Sequence, residues 1–71
     1  MSTEVRAPMV GKILSVKVEV GQNVNEDDEM FILEAMKMEN LIESPVSGVV
    51  KQIITSVGSS VATGDPLVIV G

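Results

Sequence analysis

Apolar and polar residues alternate along Leu14-Ser15-Val16-Lys17-Val18-Glu19-Val20. A period of two sends alternate side chains to opposite sides of a strand. This segment is therefore expected to form a half-buried strand with Leu14, Val16, Val18 and Val20 facing inward, ending at the turn residues Gly21-Gln22-Asn23. Residues 49–57 predict a second strand of the same kind, ending at Gly58-Ser59-Ser60. The adjacent Ile53 and Ile54 interrupt its alternation and predict a bulge or a local twist. Val24 and Val61 stand alone after these turns and mark very short strands. Polar turns at 25–29 and 62–66 then lead into the apolar runs 30–33 and 67–70, which read as buried strands. Residues 3–7 and 40–44 are opening strands, each closed by a proline, Pro8 or Pro45. About four short strands in each half, with frequent turns, predict an all-β sandwich or barrel.

The two halves match at an offset of 37 residues. Pro8 aligns with Pro45, Gly11 with Gly48, Gly21 with Gly58, and Asp28 with Asp65. Val20, Val24 and Ile32 align with Val57, Val61 and Ile69, and conservative apolar pairs fill the intervals. Proline locks φ and glycine permits positive φ, so shared positions of these residues imply shared turns. The repeat covers residues 2–34 and 39–71 without a gap and leaves only the tip, residues 35–38, without a counterpart. Two copies are too few for an open solenoid. They are expected to close about a pseudo-two-fold axis as one domain spanning 1–71, with the linker at one end and both termini at the other.

That linker lies within FILEAMKMENL, residues 31–41. Its centre is built of strong helix formers, but a helix over 34–39 would hold under two turns, too short to be stable alone. A β-hairpin is the simpler connection. With no Gly, Asn or Pro at its centre, the expected turn is type I rather than a primed type. Lys37 then projects from the tip.

Composition narrows the functional classes. The chain is 45% hydrophobic, enough for a folded core. It has no cysteine and no histidine, so it lacks the usual thiol nucleophile and the neutral-pH general base. A catalytic role of its own is not expected. The absence of cysteine fits a reducing, cytoplasmic setting. The net charge of −5 argues against nucleic-acid binding. The first residues do not resemble a signal peptide, and no apolar run reaches the length of a membrane span.

The plain reading of Lys37 is a solubility lysine on an exposed turn. Its neighbours alter that reading. Ala35, Met36 and Met38 are apolar at what should be the most exposed point of the chain, where turns prefer Gly, Pro, Asn, Asp and Ser. Methionine is heavily used at binding surfaces. The tip therefore reads as a docking spot centred on one amine. A lysine amine is almost wholly charged near neutral pH, so another enzyme must deprotonate and acylate it. The acidic run Glu26-Asp27-Asp28-Glu29 lacks the ligand spacing and glycine of a calcium loop and reads as a solvated turn. No metal site is expected.

Glu34-Ala35-Met36-Lys37-Met38 resembles the attachment motif of biotinyl domains, the carriers of biotin-dependent carboxylases. The resemblance covers nearly the whole chain. Ala7-Pro8-Met9-Val10-Gly11 is similar to the family's start, and Val20-Gly21-Gln22-Asn23-Val24 to its first glycine turn. Ser44-Pro45-Val46-Ser47-Gly48-Val49-Val50 looks like the return after the hairpin. Val57-Gly58-Ser59-Ser60-Val61 and Gly64-Asp65-Pro66-Leu67 resemble the closing turns. Lipoyl domains share the fold, but usually carry Asp before the lysine and Ala after it; methionine on both sides favours biotin.

The resemblance implies a flattened β-barrel of two four-stranded antiparallel sheets with quasi-two-fold symmetry. It implies that Lys37 carries biotin in amide linkage, placed there by a biotin protein ligase through biotinyl-adenylate. Glu34, Ala35, Met36, Met38 and Glu39 would be the ligase recognition residues. The biotin would be carboxylated by a biotin carboxylase and swing to a carboxyltransferase. The chain has no attached carboxylase region and no inserted thumb, so it resembles a stand-alone attachment protein or an excised carrier domain. A lipoyl carrier, or an acceptor of both groups served also by a lipoate ligase, is the alternative at the same lysine. A third reading is an unmodified adaptor that uses the hairpin as an apolar knob.

Overall fold

A computed structural model describes residues 2–71; position 1 of the expected domain lies outside them. Eight strands follow in order: β1 (Thr3–Arg6), β2 (Gly11–Val16), β3 (Asn23–Val24), β4 (Glu29–Ala35), β5 (Met38–Glu43), β6 (Gly48–Ile53), β7 (Ser60–Val61) and β8 (Pro66–Val70). They form two four-stranded antiparallel sheets, ordered β1-β8-β6-β3 and β5-β4-β2-β7. The arrangement is all-β and flattened, and is not a closed barrel: β1 and β5 end their sheets without pairing to each other. The molecule measures 33 × 17 × 17 Å.

Backbone geometry recurs at the 37-residue offset. Leu33 pairs with Asn40 and Ile32 with Leu41 across β4–β5; Val70 pairs with Thr3 and Ile69 with Glu4 across β8–β1. Gly21 N–H donates to Val50 O, and Gly58 N–H donates to Ile13 O, both at 2.8 Å. Gly21 and Gly58 have φ of 91° and 88°, the left-handed region that glycine enters without a Cβ penalty. Gly11 answers a different need. A Cβ there would lie 2.3 Å from the carbonyl oxygen of Glu34, so β2 approaches the end of β4 only because that position is glycine.

The two long strands are shorter than their alternation predicts. β2 stops at Val16 and β6 at Ile53. In each, one extra residue interrupts the pairing: Leu14 between Ile13 and Ser15, and Lys51 between Val50 and Gln52. A residue inserted in this way puts two successive side chains on one side of the sheet. The inward set changes accordingly. Ile13 and Val18 are buried, whereas Leu14 is 36% exposed and Val20 63%. The bulge is present in both halves and precedes the Ile53-Ile54 doublet.

The core lies between the sheets. Phe31, Ile13, Met30, Leu33, Leu67, Val50, Val68 and Val70 are its most deeply buried apolar members. At about 25 cal/mol per Å2 of apolar surface, such burial is the main force holding a chain this small together.

Candidate functional site

The site is the β4–β5 hairpin. Its pairs run from Glu29↔Glu43 through Leu33↔Asn40 and Glu34↔Glu39 to Ala35↔Met38. The inward residues Phe31, Leu33 and Ile42 are buried, anchoring the hairpin's base in the core. Two residues, Met36 and Lys37, make the turn.

Both have positive φ, 54° for Met36 and 63° for Lys37. Left-handed backbone at both central positions is the mark of a type I′ turn. The type I turn expected from the residue types is not formed. The reason is twist: a two-residue loop between right-handed strands fits I′, while type I splays them. Neither residue is Asn or Gly, and each L-residue in this region costs roughly 1–2 kcal/mol. The strain is held by the pairing beneath it.

The turn aims three side chains outward. Met36 is 89% exposed, Met38 is 67% exposed, and Lys37 is exposed between them. Among the described residues, Lys37 makes no ion pair or side-chain hydrogen bond. Ala35, grouped with the exposed tip from the sequence, is 4% exposed and belongs to the end of the core. Its small side chain closes the packing below the turn, and a partner reaching the tip does not meet it. Glu34 and Glu39 are exposed and paired in register, an arrangement of like charges that costs stability. It places an acidic step directly behind the amine.

Sequence reasoning missed three supports. Asn40 Nδ2 donates to the carbonyl of Met38 at 3.3 Å, bracing the outgoing limb. Gly11 admits the close approach of β2 beneath Glu34; its match with Gly48 in the repeat was the available signal. Lys12 stands opposite Glu34 in the β2–β4 register. An open groove of about 340 Å3 lies elsewhere, between β1 and β5, lined by Val5, Pro8, Leu41, Ile42 and Pro45 among others. Among the described residues, no cluster of acidic side chains could hold a metal, and no helix is long and apolar enough to cross a membrane.

A family model described as "Biotin-requiring enzyme" matches residues 3–70. The chain belongs to this biotin/lipoyl family. It is 50% identical over 62 residues to a biotin carboxyl carrier protein of Streptococcus mutans, covering 87% of this chain and 48% of that protein. It is 42% identical over 66 residues to a pyruvate carboxylase of Staphylococcus aureus, covering 93% of this chain and 6% of that enzyme. The crystal structure of a urea carboxylase from Kluyveromyces lactis superimposes with a TM-score of 0.93 at 27% identity, over all of this chain and 6% of the other. The chain therefore spans about half of the carrier protein and a small part of the carboxylases. Within the family it corresponds to a carrier domain, not to a catalytic one.

Proposed function

We propose that the domain is a biotin carrier and that Lys37 is the residue to which biotin is joined. The observation that carries this reading is the turn itself. Two adjacent left-handed residues hold one unpartnered primary amine at the apex of a rigid hairpin, between exposed methionines. A primary amine is the donor an amide linkage requires, and nothing in the domain competes for it. The site fits the group.

The chain contributes presentation and orientation. It has no histidine or cysteine with which to activate a carboxylate, so activation belongs to a ligase. Lys37 Nζ gives up its proton and attacks the activated carboxyl, forming the amide and releasing the activating group. Met36 and Met38 offer adaptable apolar contact on either side, and Glu34 and Glu39 offer charge. Buried Ala35 acts only by keeping the turn tight. Once attached, biotin supplies a ring nitrogen that accepts and releases a carboxyl group. Its users are a biotin carboxylase and a carboxyltransferase, and the setting is the cytoplasm.

Co-expression with a biotin protein ligase should add one biotin by intact mass, and Lys37→Arg should add none. The net charge of −5 becomes more negative as the ammonium is lost, so the product should migrate faster toward the anode in a native gel. A lipoate ligase supplied in parallel tests the alternative acyl group. Lipoate in place of biotin, or no mass gain, would overturn the reading.

A further inference from the structure

The outer faces of the two sheets share a backbone but differ in chemistry. On the hairpin sheet, Leu41 pairs with Ile32, and Ile32 with Ser15, beside the extra residue Leu14. Leu41 is 47% exposed and Leu14 36%. Three apolar side chains thus cross three neighbouring strands, about 4.8 Å apart per strand. On the other sheet the same register holds Glu4, Ile69 and Gln52, beside the extra residue Lys51. The two flanking leucines are replaced there by an acid and a base.

The rims differ as well. Toward the tip, the apolar stripe is bordered by Glu39, Glu34 and Lys12; away from it, by Glu43, Glu29 and Lys17. Lys17 is taken up by Glu29 at 3.0 Å. Four glutamates against two lysines leave this face acidic. Positions that share backbone geometry share folding requirements, so the difference between mates does not come from the fold.

We propose that the outer face of the hairpin sheet, centred on Leu14, Ile32 and Leu41, is the surface by which the carrier docks on the biotin carboxylase. This rests on the biotin-carrier reading. The partner surface is apolar at its centre and basic at its rim. Its basic character follows from the acidic border, and the same border, with the chain's net charge of −5, repels a second copy of this chain. The stripe lies four residues behind Lys37 on β5, on the order of 13 Å along the strand. Docking there leaves the tip free to enter an active site.

The test uses the 71-residue chain, fully biotinylated and checked by intact mass, as substrate for purified biotin carboxylase with ATP and bicarbonate. Leu14→Gln with Leu41→Gln removes the stripe, and Leu41→Gln alone serves if the double variant melts early. Glu4→Gln with Lys51→Gln alters the mates on the opposite face. The stripe variants should gain biotin yet show a KM raised about tenfold or more. The opposite-face variant should keep the parent's KM. Raising salt from about 0.01 to 0.15 M, which shortens the screening length from about 30 to 8 Å, should raise the parent's KM. If the parent accepts no biotin, the carrier reading fails and this inference with it. If all variants are loaded but the stripe variants keep the parent's KM, or both faces respond alike, the docking face is wrong while the carrier reading stands. Dimerisation of the parent that Leu41→Gln abolishes, measured by sedimentation, would make the occupant a second copy and overturn the proposal.

Discussion

Replacing Met36-Lys37 by Asn-Gly should make the domain more stable while removing its acceptor amine. Both positions are left-handed, and each L-residue there costs about 1–2 kcal/mol. Glycine at position 37 removes that cost, but returns about 0.4–1 kcal/mol through the freer unfolded chain. Asparagine at position 36 is several-fold enriched in this region and recovers part of the remainder. The net gain is about 1–2 kcal/mol, which for a domain this size raises Tm by roughly 4–8 °C per kcal/mol. Thermal melts and urea titrations of the parent, Met36→Asn, Lys37→Gly and the pair would measure it, with Lys37→Ala controlling for loss of the charge. The gain should appear in Lys37→Gly and be absent in Lys37→Ala. Equal or lower stability of the Asn-Gly pair would refute the claim that the native turn is strained.

Two further substitutions probe the support of the site and the core. Gly11→Ala would set a Cβ 2.3 Å from the Glu34 carbonyl, so β2 or β4 must move; a loss of about 1–3 kcal/mol is expected in chemical denaturation, together with shifted amide signals at the hairpin. Thr55→Val should stabilise by about 1–2 kcal/mol, because Thr55 Oγ1 is buried without a hydrogen-bond partner, and valine, present at the equivalent position as buried Val18, keeps the shape.

Much of the architecture was legible in the punctuation of the chain. Gly21, Gly58, Pro8 and Pro45 restrict or release φ locally, so turns could be placed without knowing what lay across from them. The register was not legible. The extra residues Leu14 and Lys51 exist only relative to the partner strands β4 and β8. Simple alternation therefore assigned Leu14 and Val20 to the inside and overlooked Ile13, which is fully buried. The tip divided in the same way. Lys37 between two methionines was visible as an anomaly of residue type. The turn type was not, because Met and Lys have no local preference for positive φ; the twist of the paired strands imposes it. Ala35 looked like a member of the exposed apolar tip, and only packing shows that it ends the core.

The sequence alone determined where the backbone can turn, how many strands it can supply, and which lone amine falls in the one segment without a counterpart. These follow from steric limits and side-chain types, which are properties of single residues. Tertiary structure decided which side chains face inward, the left-handed turn that lifts Lys37, and the different chemistry of two faces built on one register. Those depend on what lies across a strand pair, and no residue carries that information until its partner is in place.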